Sequence, residues 1–253
     1  MGDFTSKLAP KDRIFVSLDV DTLEEAEKLM DQLAGLVTNV KLGLQLATRE
    51  GWEAVIESAH HHGFGVFCDT KFKDIPNTVE HAAASLTSHG PDYFTVMADN
   101  SLEALQAVRR GVDEAPLKRD TFLKPAVIGV TVLTSISPEE CVALYGGDVA
   151  TKVLQFGTNA VDAGLDALVC SPEEIELFRK DPKFDNTLII TPGVRPTWAS
   201  SNDQHRVATP AEAIKRGADM LVIGRPITQP PAEVGSTAEA VKRIIAEIEE
   251  ALA

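Results

Sequence analysis

Eight short apolar runs recur along the chain, and a stretch with helical features follows each of them. After the first run, residues 14–19, the apolar positions that include Ala26, Met30 and Leu33 fall on one face of a helix. Apolar runs of this length predict strands. The predicted strands cover residues 14–19, 37–43, 65–69, 93–97, 125–133, 167–171, 187–191 and 219–224.

The stretches between the runs predict helices, and two of these carry a recognisable start signal. Thr22 with Glu25, and Ser236 with Glu239, have the spacing of a capping box. The helix after the second run is expected to be continuous over residues 45–62. Further helices are predicted over residues 76–89, 101–112, 138–145 and 149–163, with helix starts at residues 171–174 and 209–210.

This alternation of strands and helices predicts an α/β fold. Consecutive strand–helix units imply a parallel sheet, and eight of them in a chain of 253 residues imply a single (β/α)8 TIM barrel spanning residues 1–253. An open doubly wound sheet is the alternative. Its glycine-rich dinucleotide fingerprint is expected after the first strand, where residues 18–21 instead have the sequence LDVD.

The charge and the apolar runs limit the possible partners and location. A formal net charge of −14 argues against nucleic acid or an anionic membrane as a partner, but it leaves room for a local cationic pocket. Residues 1–7 lack the apolar core of a signal peptide, and no apolar run is long enough to span a membrane. We therefore expect a cytoplasmic protein.

Neither the histidines nor the cysteines predict a metal site. Residues 60–62 are adjacent histidines, but consecutive residues of a helix point about 100° apart and cannot converge on one ion. We expect them to form a solvated helix end. The three cysteines, Cys68, Cys141 and Cys170, contain no CxxC pair, which favours buried thiols in a reducing compartment.

The end of the third strand carries the most informative residues. Side chains alternate along a strand, so Asp69 and Lys71 are expected on one face, with Asp74 just past the strand. Two carboxylates then bracket a lysine and favour its ammonium form, which suits a proton donor. The alternative is an ordinary surface ion pair beside a helix start, because ion pairs also perturb titration without doing chemistry.

Other strand ends add to this group. In a (β/α)8 barrel the active site lies at the carboxyl ends of the strands, where Asp19 and Lys41 join Asp69 and Lys71. Burying charges there is costly unless they pair in an organised network. We therefore expect these four side chains to form a network that transfers protons.

Two glycine–arginine pairs predict a phosphate site. Gly193 with Arg195 follows the seventh strand, and Gly224 with Arg225 follows the eighth. Loops after these strands commonly bind phosphate in such barrels, through backbone N–H groups and bidentate arginines. Tight strand-to-helix turns are the alternative explanation. The long loop over residues 192–209 has the length of a lid.

Residues 69–78, DTKFKDIPNT, resemble the D-x-K-x-x-D-I-P-N-T signature of the orotidine 5′-phosphate decarboxylase family. The resemblance covers nearly the whole predicted barrel. The matching segments are residues 18–19, 40–43, 131–135, 191–195 and 222–226, together with Gln204.

This resemblance implies conversion of orotidine 5′-monophosphate to UMP and CO₂, the last step of de novo UMP synthesis, with no metal and no organic cofactor. Lys71 would protonate C6 of the pyrimidine, Asp69 would lie beside the substrate carboxylate, and Lys41 would hold Asp69 and the ribose. A homodimer is implied, in which Asp74 and Thr78 reach into the neighbouring subunit's site.

The resemblance also implies a substrate-binding set. Asp19 would bind the ribose, and Thr134 or Ser137 would contact the pyrimidine edge. The phosphate would be held by Arg195, Gln204, Gly224 and Arg225. The full substrate-binding set is Asp19, Ile75, Thr78, Thr134, Ser137, Pro192, Arg195, Gln204, Gly224 and Arg225.

Two other functions remain possible at this point. A related sugar-phosphate decarboxylase, such as a 3-keto-gulonate-phosphate decarboxylase, would need Mg²⁺ and an acidic residue on the second strand, where this chain has Lys41. A catalytically silent barrel would bind a nucleotide only, and loss of Lys71 or of either aspartate would have favoured it. A chelator discriminates between the Mg²⁺-dependent sugar-phosphate decarboxylase and the metal-free orotidine 5′-phosphate decarboxylase.

Overall fold

The computed structural model describes residues 8–116, 123–199 and 207–253. Its eight strands are all parallel and close into a barrel in sequence order, which confirms the predicted fold. The strands are β1 Ile14–Leu18, β2 Asn39–Leu42, β3 Gly65–Phe72, β4 Tyr93–Met97, β5 Ala126–Val130, β6 Ala167–Val169, β7 Leu188–Thr191 and β8 Met220–Ile223.

Helices surround this barrel. They are α1 Leu23–Leu33, α2 Leu44–Glu50, α3 Trp52–His61, α4 Pro76–His89, α5 Leu102–Glu114, α6 Pro138–Tyr145, α7 Val149–Asp162, α8 Ile175–Arg179, α9 Pro210–Lys215, α10 Arg225–Thr228 and α11 Thr237–Leu252. The capping box predicted for Thr22 and Glu25 is present, and the Ser236 side chain accepts a hydrogen bond from the Glu239 backbone N–H. None of these helices is both long and apolar enough to cross a membrane.

Two apolar clusters hold the barrel together. The larger one lies between the strands and the helices, where each helix buries its apolar face. The smaller one fills the barrel interior with Phe15, Phe67, Ile128, Ile190 and Met220 among its members. Phe15 and Phe67 meet edge to face with ring centroids 5.0 Å apart. The interior is therefore packed, and the cavity that remains lies at one end of it.

Three predicted elements differ from the structure. The helix expected over 45–62 is two helices, because Gly51 between them has φ of +85°, a left-handed conformation that ends the first helix. The fifth strand ends at Val130, not at residue 133, because the chain after it leaves the sheet and lines the cavity. The histidine stretch is not simply solvated, since His60 Nε2 lies 3.1 Å from Asp92 Oδ2 and its side chain is only 10% exposed.

Candidate active site

A cavity of about 530 Å³ lies at the carboxyl ends of the strands. Described residues of seven of the eight strands, or of the segments that follow those strands, line this cavity. The exception is β4. The predicted site residues that line it are Asp19, Lys41, Asp69, Lys71, Thr134, Pro192, Arg195, Gly224 and Arg225. The strand ends thus bring together most of the residues on which the sequence prediction rested.

A chain of ion pairs crosses one side of this cavity. Lys41 Nζ lies 3.4 Å from Asp19 Oδ1 and 3.3 Å from Asp69 Oδ2. Lys71 Nζ lies 2.6 Å from the other oxygen of Asp69. Asp69 therefore stands between two ammonium groups, and each of its oxygens faces one of them.

Burial and charge act in opposite directions on this group. Burial alone would raise the pKa of Asp69, but the charges of Lys41 and Lys71 and the hydrogen bonds it accepts outweigh burial and lower that pKa. Burial alone would lower the pKa of Lys41, yet the carboxylates of Asp69 and Asp19 raise it. Both groups are thus held in their charged forms at neutral pH.

The backbone of β3 is irregular where these side chains leave it. Cys68 pairs with Phe94 and Phe72 pairs with Val96, so β3 has more residues than β4 between the two pairs. Lys71 lies in this bulge with φ of +49°, the one left-handed conformation of a non-glycine residue in the described chain. The prediction that Asp69 and Lys71 share one face is confirmed, since both line the cavity and lie 2.6 Å apart, but their contact forms across a bulge and not along a regular strand.

Thr95, on the neighbouring strand β4, contacts this bulge without lining the cavity. The sequence analysis did not identify it as a functional residue. Its hydroxyl accepts a hydrogen bond from the Lys71 backbone N–H at 2.9 Å and donates one to Asp69 Oδ1 at 3.0 Å. The residue is fully buried. The available signal was a polar residue in the middle of an otherwise apolar strand, Tyr93–Met97.

Another part of the cavity wall is made by the loops after β7 and β8. Gly193 has φ of +75°, and just beyond it Val194 forms a β-bridge with Ala208. The Arg195 backbone N–H also donates to the Ala208 carbonyl at 2.8 Å, so the two ends of the long loop after β7 are joined at its base. Arg195 is largely buried there. Gln204 lies outside the described residues.

Two glycines let groups approach the cavity closely. A Cβ on Gly43 would lie 3.0 Å from Asp19 Oδ1 and 3.5 Å from Lys41 Nζ, inside the ion-pair network. A Cβ on Gly224 would lie 3.3 Å from the Cβ of Ser17, which also lines the cavity. Side chains at these positions would fill the space that the charged groups and a ligand need.

Four predicted site residues are not among those that line the cavity of this chain. Ser137 is the N-cap of α6, and its hydroxyl accepts a hydrogen bond from the Glu140 backbone N–H at 3.2 Å. The other three, Asp74, Ile75 and Thr78, are exposed at the start of α4. The Asp74 carboxylate accepts from the backbone N–H of Ile75, whose own side chain is 65% exposed.

The lining also includes residues that the sequence did not single out. Ser17, Gln45, Phe67 and Gln229 all border the cavity. Gln45 donates to Asp21 Oδ1 at 2.6 Å, which joins the start of α2 to the loop after β1. No local motif marks these positions, because they reach the cavity only through closure of the barrel.

A metal site would need a different set of side chains. Among the residues that the structure describes, no three His, Cys, Asp or Glu side chains come together to hold an ion. The two carboxylates that border Lys41 already face its ammonium group. All three cysteines are free and buried.

Comparison with known proteins agrees with this geometry. The model of the Orotidine 5'-phosphate decarboxylase / HUMPS family matches residues 12–241. The orotidine 5′-phosphate decarboxylase of Heliobacterium modesticaldum is 42% identical over 245 residues, which cover 96% of this chain and 98% of that protein. The corresponding protein of Moorella thermoacetica is 42% identical over 249 residues, which cover 96% and 94% of the two chains.

A solved structure is similar over nearly the same span. The crystal structure of orotidine 5′-phosphate decarboxylase from Lactobacillus acidophilus matches with a TM-score of 0.78 and 30% identity, over 94% of this chain and 99% of that chain. These findings confirm the family predicted from residues 69–78. The chain is therefore an enzyme of the orotidine 5′-phosphate decarboxylase / HUMPS family.

Proposed function

We propose that this protein is a carbon–carbon lyase that decarboxylates orotidine 5′-monophosphate to UMP and CO₂ in pyrimidine biosynthesis, without a metal or an organic cofactor. The observation that carries the proposal is the chain of ion pairs from Asp19 through Lys41 and Asp69 to Lys71 at the cavity wall. The similar proteins that are named orotidine 5′-phosphate decarboxylase support the choice of substrate.

Lys71 is the proton donor in this proposal. Loss of CO₂ leaves a carbanion at C6 of the pyrimidine, and a fixed ammonium group beside that carbon stabilises the developing charge. The same group then delivers its proton to C6. Lys71 borders the cavity, and its Nζ is held 2.6 Å from Asp69, so it needs little reorganisation during the reaction.

Asp69 would lie beside the substrate carboxylate. The lowered pKa of Asp69 keeps it charged, so it repels that carboxylate until neutral CO₂ departs. Lys41 Nζ lies 3.3 Å from Asp69 Oδ2 and 3.4 Å from Asp19 Oδ1, so it would hold both carboxylates in place. Asp19, whose side chain is 55% exposed, is accessible to a ribose hydroxyl.

The loops after β7 and β8 would bind the phosphate. Gly193 and Gly224 line the cavity together with Arg195 and Arg225, so backbone N–H groups and guanidinium groups of these loops are available to bind an anion. Phosphate binding at this distance from C6 can be used to close the loop and to support the chemistry. Thr134, which also lines the cavity, would contact the pyrimidine edge.

The position of Lys41 supports the proposal that the reaction is metal-free. A divalent cation held by Asp19 and Asp69 would have to share their carboxylates with the Lys41 ammonium, 3.4 Å and 3.3 Å away. Like charges at such distances repel strongly in a site of low dielectric. A sugar-phosphate enzyme that requires Mg²⁺ fits this arrangement poorly.

We also propose that the protein is cytoplasmic and forms a homodimer in which each active site contains residues of both subunits. Asp74 and Thr78 are exposed on this chain and stand outside its own cavity, beside the exposed apolar side chain of Ile75. A second copy related by twofold symmetry would cover that surface and receive these two polar side chains in its own cavity.

Turnover with and without a chelator tests the proposed reaction. Adding the protein to orotidine 5′-monophosphate should remove the orotate absorbance and yield UMP at the same rate with and without EDTA. No turnover, or turnover that requires Mg²⁺, would favour a sugar-phosphate enzyme and reject the proposed function.

Mixing two inactive variants tests the shared site. Lys71→Ala and Asp74→Asn should each be nearly inactive alone, because every site then lacks one essential group. Random mixing of their subunits should restore about a quarter of wild-type activity, since half of the dimers would carry one intact site. Absence of any recovery, or full activity of Asp74→Asn alone, would refute the shared site.

A further inference from the structure

We propose that Thr95 is a positioning residue for the reaction, whose hydroxyl fixes both the Asp69 carboxylate and the Lys71 backbone. The proposal rests on the proposed function, because it assigns Thr95 a part in the decarboxylation. Thr95 is not among the residues that line the cavity, so it acts through Asp69 and Lys71 and not on the substrate.

The bulge in β3 places one residue of β4 opposite three residues of β3. The strand pairing runs from Cys68 with Phe94 to Phe72 with Val96. Asp69, Thr70 and Lys71 therefore all lie opposite Thr95. A bulge leaves extra residues without ladder partners, and their orientation must be fixed by other contacts.

Thr95 bonds to all three of these residues. Its backbone carbonyl accepts a hydrogen bond from the Thr70 hydroxyl at 2.5 Å. Its own hydroxyl accepts from the Lys71 backbone N–H at 2.9 Å and donates to Asp69 Oδ1 at 3.0 Å. A hydroxyl has one hydrogen to donate, so these two bonds fix its direction.

The two bonds act on different parts of the catalytic pair. The bond from the Lys71 N–H holds the strained backbone at φ of +49°, a conformation that persists only where its surroundings impose it. The bond to Asp69 fixes the rotation of the carboxylate, whose Oδ1 also faces Lys71 Nζ at 2.6 Å. The distance between the carboxylate and the ammonium thus depends on one hydroxyl group.

Replacement by valine removes the hydroxyl and keeps the branched side chain. Thr95 is fully buried, so valine at this position leaves the Lys71 N–H without its hydrogen-bond acceptor and Asp69 without one of its donors. We expect Thr95→Val to lower kcat by about 100-fold, the cost of misplacing a reacting group, while the KM for orotidine 5′-monophosphate is unchanged. Thr95→Ser keeps the hydroxyl and should restore most of the lost kcat.

A pH profile separates positioning from a purely structural role. Asp69 loses a hydrogen-bond donor in Thr95→Val, so its pKa rises, and the acid limb of kcat/KM should move to higher pH. Thr131→Val is the matched control, because Thr131 is also fully buried and donates to the Val169 carbonyl at 2.9 Å. It should keep the wild-type kcat and acid limb.

Several outcomes would overturn the proposal. They are a wild-type kcat in Thr95→Val, an equal loss in Thr131→Val, or no recovery in Thr95→Ser. If Thr95→Val does not fold, as judged by thermal unfolding, the same comparison is made between Thr95→Ala and Thr95→Ser. Wild-type protein that fails to turn over orotidine 5′-monophosphate would reject the proposed function itself, whereas an active wild type with an equally active Thr95→Val would reject only the role of Thr95.

Discussion

The two sides of the cavity position their functional groups by different means. On the side of β1 to β3, strand residues present side chains that fix one another, as Asp69 does between Lys41 and Lys71. On the side of β7 and β8, the residues that line the cavity follow the strands, and Gly193 and Gly224 are among them. One side relies on paired charges, and the other on loops.

This difference matches what each half of a phosphorylated substrate requires. Bond breaking at C6 depends on the placement of single atoms, and strand residues in a packed barrel move little. A phosphate group has several equivalent oxygens, so backbone N–H groups and arginines from loops can bind it with less demanding geometry. A loop can also open to admit substrate and close around it.

The largest expected effect is the loss of activity when a residue of the charged side alone is replaced. Lys71→Met should lower kcat by at least about 10³-fold, because it removes the proposed proton donor and the positive charge that we propose stabilises the carbanion. Affinity for UMP, measured by calorimetry, should fall much less, since the loops of the other side are untouched. An active Lys71→Met variant would contradict the assignment of the proton donor.

The next largest expected effect is a loss of stability when Asp69, on the same charged side, is replaced. Asp69→Asn leaves the ammonium groups of Lys41 and Lys71 without the carboxylate between them, so we expect a loss of about 3 kcal/mol in unfolding free energy at neutral pH. Urea unfolding measures it. An Asp69→Asn variant as stable as the wild type at neutral pH would mean that the network does not hold the strand ends together.

The pH dependence of that loss follows from the two shifted groups. The pKa of Asp69 is lowered by folding, so its contribution is complete above the unfolded pKa and is lost as the pH falls through the folded one. The pKa of Lys41 is raised, so its contribution is complete below the unfolded pKa and is lost at alkaline pH as the folded value is passed. The stability difference between wild type and Asp69→Asn should therefore be flat near neutral pH and shrink below about pH 4.

The smallest expected effect comes from a lysine just outside the cavity. Lys73 Nζ pairs with Asp99 Oδ2 at 2.6 Å, where the lysine side chain is 52% exposed and that of Asp99 only 5% exposed. Asp99 also shares a hydrogen bond with Tyr145, so its carboxylate keeps a partner when the lysine is removed. Lys73→Met should cost about 1 kcal/mol of unfolding free energy and change kcat by less than about threefold. The variant is also the matched control for Lys71→Met, because it removes a charge of the same kind two residues away.

Much of this could be predicted from the sequence because the signals are local. Short apolar runs at regular spacing identify a (β/α)8 barrel, and that fold places every strand end at one mouth. Asp19, Lys41, Asp69 and Lys71 therefore converge by topology alone. Their convergence needed no knowledge of side-chain conformation.

What could not be predicted depends on contacts between distant segments. The bulge at Lys71 and its bonds to Thr95 arise from the pairing of β3 with β4, and no local pattern encodes that register. Gln45, at the start of α2, likewise borders the cavity and contacts a distant segment, the loop after β1. Gly51 is visible in the sequence, but a glycine alone does not show whether a helix continues through it or ends there, and the expected helix over residues 45–62 ends at it.

The division between the two sides is tested most directly with Arg225→Ala and two substrates. The kcat/KM of this variant and of the wild type is measured for orotidine 5′-monophosphate and for orotidine, which lacks the phosphate, with Arg243→Ala on the surface of α11 as the control. The account predicts a loss of about 100-fold with the phosphorylated substrate and none with orotidine. Equal losses with both substrates, or no loss with either, would contradict it.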